Sequence, residues 1–232
     1  MSARLKAVVM DVDGTLYRQQ PVRLRMALRL MRHFAVHPSE GIRVMRTIRT
    51  YRHAQERLRC LDGAGRASRQ MALTAEITGY ESDWVRRVVE LWMEEIPLDF
   101  VGEARFAGVL EFCAWAHERN VALAVLSDYD PRAKLARLSL DAFIDLSGWA
   151  QEWDIGVFKP DPKGLLTVLR RLGVEAGNSV YIGDRIDVDG ETAIAAGVDG
   201  YILTKKQELP NGLRAFRNWT ALRSELAARI ES

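Results

Sequence analysis

Asp11 and Asp13 stand one residue apart at the end of the apolar run AVVM (7–10), with Gly14 close behind. A short continuous apolar run that stops at a glycine turn reads as a strand buried on both faces. Side chains alternate along extended backbone, so carboxylates at i and i+2 point the same way. Two anions on one side of a strand tip repel each other unless something positive sits between them, and a metal ion or a substrate that needs both acids would fill that role. Other polar groups follow apolar runs in the same manner. Ser127 and Asp128 come after VALAVL (121–126), Asp184 ends SVYIGD (179–184), and Lys159 lies in the loop VFKPDP (157–162). Paired carboxylates, a hydroxyl, an ammonium and a further acid thus collect at predicted strand ends, and their joint placement, rather than any one of them, points to a site.

The elements that must position these groups can be read from periodicity. Strands at 121–126, 143–146 (FIDL), 179–184 and 200–203 alternate with helical patterns near 103–118, from Pro131, at 163–173 and at 191–197, and TALRSELAARI makes a last helix. This alternation indicates an α/β fold with a doubly wound parallel sheet. In open sheets of that kind ligands bind outside the carboxyl ends of the strands. Residues 18–100 show helical spacing and no strand signal. Leu24, Ala27, Leu28, Met31 and Phe34 form one stripe, and Ile42, Met45, Ile48, Tyr51 and Leu58 another, with arginines on the opposite faces. Two further helices are expected at about 67–78 and around Trp84, Val88, Leu91 and Trp92. The expected organisation is a core of residues 1–17 and 101–232 with a small α-helical bundle of residues 18–100 inserted.

The 232 residues, 48% hydrophobic, suffice for one large domain or a medium domain with an insertion. No apolar stretch approaches the roughly 18 residues of a membrane span, and MSARLKAVVM lacks the features of a signal peptide. Cys60 and Cys113 are far apart and without metal-ligand spacing, which fits reduced thiols in a cytoplasmic protein. Residues 18–70 hold thirteen arginines, no lysine and three acids, a charge of +10. The formal net charge of the chain is only +2, which leaves −8 for the rest.

Four separated motifs carry a resemblance: DVDGTL (11–16), the hydroxyl after VL in VLS (125–127), the lysine of FKPDP (158–162) and GDRIDVD (183–189). In this order they resemble the haloacid dehalogenase superfamily, in its phosphatase branch, and the helical insertion resembles that family's cap domain. The resemblance implies a magnesium-dependent phosphatase acting on a small phosphorylated metabolite through an aspartyl-phosphate. It makes Asp11 the nucleophile, Asp13 the general acid and base, Ser127 a ligand of a phosphoryl oxygen and Lys159 the neutralising cation. Magnesium would be held by Asp11, the Asp13 backbone carbonyl and Asp184, with Asp189 favoured over Asp187 as the supporting acid. An acid at position 13 points to a phosphatase or a phosphomutase within the superfamily. A sugar phosphomutase is therefore the alternative, and an anion-binding protein without turnover the rival from another class. Asp128 departs from the pattern, since many relatives carry asparagine there.

Other residues have simpler readings. His33, His37 and His53 have no metal-ligand spacing, and Trp84 and Trp92 fit an apolar stripe. Trp149 and Trp153 flank the loop before Lys159 and could border the site. The arginine-rich segment reads as a solvated face, as a funnel for anionic substrates through Arg57, Arg59 and Arg66, or as a basic surface for peripheral contact with an anionic membrane. The absence of interleaved aromatics argues against sequence-specific nucleic-acid binding. Nothing in the sequence indicates an oligomeric state.

Overall fold

The computed structural model describes residues 4–59, 61 and 67–230. Six strands, β1 (Ala7–Met10), β2 (Ala122–Ser127), β3 (Leu146–Trp149), β4 (Ser179–Gly183), β5 (Asp199–Leu203) and β6 (Leu213–Phe216), form one sheet in the order β3-β2-β1-β4-β5-β6. Every pairing is parallel. Met10 of the central β1 is level with Val125 of β2 and Ile182 of β4. The residues just beyond, Asp11, Ser127 and Asp184, therefore emerge together at the carboxyl edge, where the strand order reverses direction about β1.

Ten α-helices follow in chain order among the described residues. The insertion between β1 and β2 opens with α1 (Gln19–Val36), α2 (Pro38–Arg59), α3 (Gln70–Thr78), α4 (Ser82–Val89) and α5 (Leu98–Val101). A π-helical turn, Glu90–Glu95, continues α4. The chain then forms α6 (Val109–Glu118), α7 (Arg132–Arg137), α8 (Lys163–Leu172), α9 (Glu191–Ala196) and α10 (Trp219–Ile230). Alternation along β1 explains why its apolar run is continuous. Val8 and Met10 pack with Phe112 of α6 and Trp219 and Leu222 of α10, whereas Val9 packs with Leu165 and Val168 of α8 and Ala193 of α9. No described helix is long and apolar enough to cross a membrane.

Two chain crossings join the helical insertion to the sheet. The Arg18 N–H donates to the Ala104 carbonyl (2.9 Å), and the Phe106 N–H donates to the Leu16 carbonyl (3.1 Å). The structure departs from the sequence pattern at four points. β3 begins at Leu146 rather than at Phe143, because Phe143 closes a 3-10 turn, Asp141–Phe143. The Asp145 carboxylate then accepts the Leu123 N–H (2.8 Å) just ahead of the strand. β6 is an additional strand, at the sheet edge, with exposed residues in its middle. The helix expected from 103 starts only at Val109, since Gly108 in front of it holds a left-handed φ of +85°. Finally, the stripe Leu24, Leu28, Met31 and Phe34 faces outward, and α1 buries Val22 instead. Its rotation is set by Met26 and Leu30, which pack against Val44, Val88, Trp92 and Ile96; the exposed pairs Arg25–Glu103 (2.6 Å) and Arg29–Asp99 (3.3 Å) follow from it and add little.

Candidate active site

Asp11 is buried at the tip of β1 and is held from both sides. The Lys159 Nζ donates to its Oδ1 (2.5 Å), and the Thr15 hydroxyl donates to its Oδ2 (3.0 Å). The same ammonium donates to Asp189 Oδ1 (2.6 Å) and to the Tyr181 hydroxyl (3.2 Å). Asp189 is also buried. Its Oδ1 accepts from the Tyr181 hydroxyl (3.1 Å), and its Oδ2 accepts the N–H groups of Asp184 (3.2 Å) and Arg185 (3.0 Å). Asp189 thus fixes both the lysine and the turn after β4. Glycine is required at two nearby points. Gly14 has φ +101°, and a side chain there would collide with the Asp184 carboxylate. A side chain on Gly183 would collide with Asp189.

The electrostatics of this cluster are unbalanced. Burial pushes the Asp11 carboxyl well above the carboxylate range against the pull of Lys159, with Asp189 and Asp184 adding to the rise. Burial, then Asp189, pushes Asp184 up to about 6. Burial works against the charge of Lys159, but Asp11 and Asp189 more than offset it and raise its pKa. One ammonium among three carboxylates leaves negative charge to neutralise.

Asp13 points to different partners. Lys134, buried at the start of α7, donates to both of its carboxylate oxygens at 2.7 Å. The Tyr17 hydroxyl donates to Asp13 Oδ1, and the Gln19 amide donates to the Asp13 backbone carbonyl. Burial works to raise the Asp13 carboxyl, yet Lys134 and Tyr17 together hold it below the usual range. Thr15, Tyr17, Lys134 and Tyr181 are site residues that sequence reasoning did not single out. Tyr17 lies four residues after Asp13 and Thr15 falls inside DVDGTL, so both had a local signal. Lys134 and Tyr181 had none, because only tertiary packing brings them in.

Ser127 is buried at the end of β2, where its hydroxyl accepts the Tyr129 N–H (3.4 Å). Asp128 beside it turns toward the helical insertion. Its Oδ2 accepts from the Gln55 amide (2.8 Å) and from the Arg59 guanidinium, and Arg59 also donates to the Lys159 carbonyl. Only 7% of the Arg59 side chain is exposed, and it lies over the Phe158 ring at 5.6 Å. The extra negative charge at position 128 is therefore paired. Arg57 is exposed, whereas Cys60 and Arg66 lie outside the described residues. Asp187 turns away from the cluster to pair with Arg185 (2.5 Å), leaving Asp189 as the acid inside it. Trp153 is 93% exposed, and Trp149 packs under Arg132 (4.9 Å). His33 packs against Trp92 (5.3 Å), and the described cysteine, Cys113, is free and buried.

The donors fit a divalent cation. Asp11, Asp184 and Asp189 each offer a carboxylate oxygen, and the three oxygens lie within 4.8 Å of one another. No ion pair reaches the Asp184 carboxylate among the described residues. Its raised pKa marks the charge that a hard, oxygen-seeking cation would neutralise.

Fold and site together define a doubly wound α/β protein whose strand tips gather carboxylates, a lysine and a hydroxyl at one point. The haloacid dehalogenase-like hydrolase family matches residues 5–197, and the chain belongs to that family. The chain is 43% identical over 65 residues to a glyceraldehyde 3-phosphate phosphatase of Methanopyrus kandleri, covering 28% of this chain and 27% of that relative. It is 26% identical over 205 residues to a phosphoglycolate phosphatase of Pseudomonas syringae pv. tomato, covering 83% of this chain and 67% of that relative. Among solved structures it shares its fold with a 2-haloacid dehalogenase from Pseudomonas syringae pv. tomato. The TM-score is 0.65 and the identity 23%, over 97% of this chain and 99% of that one.

Proposed function

We propose that this chain is a magnesium-dependent phosphatase that hydrolyses a small phosphorylated metabolite through an aspartyl-phosphate on Asp11. The observation that carries the reading is the division of labour between the two aspartates. Asp11 is tied to Lys159 and sits with Asp184 and Asp189, while Asp13 is turned to Lys134 and Tyr17. Family membership and the phosphatases among its relatives support the same reaction class.

An Asp11 oxygen attacks phosphorus as the bond to the leaving oxygen breaks; Asp13, which rests ionised against Lys134, takes up the proton of the phosphate monoester monoanion and passes it to that leaving oxygen. Asp13, now ionised, takes a proton from water, and the resulting hydroxide attacks phosphorus. The Asp11–phosphorus bond breaks and inorganic phosphate leaves. Lys159 offsets charge on Asp11 and on the phosphoryl oxygens, and Ser127 donates a hydrogen bond to one of them. Asp189 positions Lys159 and the turn that carries Asp184. Magnesium, held by the Asp11 and Asp184 carboxylates and the Asp13 carbonyl, would supply charge neutralisation for the phosphoryl group.

The test is a panel of phosphorylated metabolites incubated with the protein and magnesium, reading released phosphate. Stoichiometric phosphate release without a transfer product supports the reading. Transfer of the phosphoryl group to a second position of a sugar phosphate would replace it with a phosphomutase. No turnover across the panel, with folded and metal-loaded protein, would refute both.

A further inference from the structure

Helix α1 packs Val22, Met26 and Leu30 inward and carries a second apolar stripe on the side away from the rest of the molecule. Leu24, Leu28 and Met31, spaced four and three apart, are 62%, 49% and 59% exposed. A packed helix needs only one apolar face, and this second stripe has no partner among the described residues. Ile42 and Met45, near the start of α2, are also exposed. Arginines border the stripe. Arg32 lies beside the stripe on α1, and Arg46, Arg49 and Arg52 are exposed on α2, Arg46 lying over the Tyr80 ring (5.6 Å). Between the two helices runs a groove of about 350 Å³ lined by Leu30, Met45 and Ile48, by Arg49 and Arg52, and at its far end by His53 and Glu56.

Charge selects the occupant. Residues 18–70 carry +10; of their arginines, Arg25, Arg29 and Arg59 are paired with Glu103, Asp99 and Asp128, whereas Arg32, Arg46, Arg49 and Arg52 stand in no ion pair among the described residues. A second copy placed on this face would bring two arginine-rich surfaces together and is disfavoured. A nucleic acid would match the charge but leave the leucines and methionines without a role. An anionic bilayer matches both halves of the pattern. Apolar side chains lying in one plane can enter the acyl boundary while flanking arginines meet phosphate groups. The acidic remainder of the molecule would be repelled, which orients the chain with this face down.

We propose that the α1–α2 face docks on an anionic lipid surface, with Leu24, Leu28 and Met31 inserted and Arg32, Arg46, Arg49 and Arg52 on lipid phosphates. The experiment is flotation of the full chain with phosphatidylcholine vesicles, with and without phosphatidylglycerol, at low and high salt. The expected result is binding only when phosphatidylglycerol is present, weakened by salt. The variant Leu24→Ser, Leu28→Ser, Met31→Ser should lower the partition coefficient about tenfold or more, given the apolar area withdrawn from the interface. Arg46→Gln, Arg49→Gln, Arg52→Gln should remove most of the salt dependence. These residues are exposed and outside the site, so turnover on a soluble phosphate ester should be unchanged. Leu28→Ser alone gives a second, milder reading of the same effect. Absence of binding to anionic vesicles at low salt would overturn the proposal. So would equal binding to neutral vesicles, or binding that the serine substitutions leave intact. A solution dimer that these substitutions split would assign the face to a second copy instead and would also overturn it.

Discussion

Lys134 holds both oxygens of Asp13 at 2.7 Å, and this contact gives the proposed proton carrier a defined direction. Asp11→Asn should abolish turnover and any phosphorylated enzyme, because an amide is a poor nucleophile. Asp13→Asn should keep metal binding through its carbonyl but slow turnover about 10²–10⁴-fold. The loss should shrink for an aryl phosphate whose leaving group needs no proton, a comparison that steady-state rates on aryl and alkyl phosphates make directly. Lys134→Met should lower kcat about 10²-fold by releasing Asp13 from its geometry. Because Lys134 acts through Asp13, the same substitution placed on Asp13→Asn should cost little further. Additive losses would show that Lys134 has a separate role. Cys113 supplies a pH prediction. Burial pushes its thiol up to about 12, whereas an unfolded cysteine titrates near about 8.5. The folded state therefore binds the proton more tightly, and its contribution to stability is complete below about 8.5 and lost as pH rises toward 12. Iodoacetamide at neutral pH should leave the Cys113 peptide unlabelled until the protein is unfolded, as peptide mass spectrometry would report.

At the scale of elements, the C-terminal turns of α2 connect the helical insertion to the site. Gln55 and Arg59 converge on Asp128, and Tyr129 next to it donates to Gln55 (2.9 Å) and accepts from Gln70 (2.9 Å). Tyr51 of α2 stacks on the Tyr129 ring at 5.9 Å. The end of β2 and the backbone of Lys159 are thereby tied to one helix. Arg59→Gln leaves Asp128 with a largely desolvated, unpaired charge and should lower stability by about 3 kcal/mol. Arg59→Gln with Asp128→Asn should recover part of that loss, which a double-mutant cycle in urea would measure. If the two single variants simply add, the pair is not coupled. The contact also changes the reading of Arg59. An arginine buried in this pair is a connector between layers rather than part of a diffuse attracting field.

For the whole molecule, the cluster of Asp11, Asp184 and Asp189 should couple metal binding to global stability. A ligand that binds only the folded state at a hundred times its Kd adds about 2.7 kcal/mol. Magnesium should accordingly raise the Tm, and chelator should reverse the rise while abolishing turnover. Asp184→Asn should erase most of the Tm shift, which calorimetry reads without any substrate. A Tm indifferent to magnesium in the wild type would contradict the proposed cation site.

The sheet and the acids at its edge were legible because their signals are local. A continuous apolar run ending in DVDGTL states burial on both faces and places Asp11 and Asp13 at an exit from the core. The runs before Ser127 and Asp184 do the same. β6 was not legible, since a four-residue strand with its middle in solvent has no apolar pattern to announce it. Helical spacing revealed α1 but not which side it buries. Two opposed faces of α1 hold apolar residues, and the choice fell to the face of Val22, Met26 and Leu30, because segments later in the chain offer Val44, Val88, Trp92 and Ile96 to it. Of GDRIDVD, the sequence determined that acids cluster after β4. Packing decided that Asp189 turns inward to Lys159 while Asp187 pairs outward with Arg185. The clamp on Asp13 was also a tertiary decision. Lys134 is 121 residues away, and it reaches the site only because α7 follows directly from the tip of a neighbouring parallel strand.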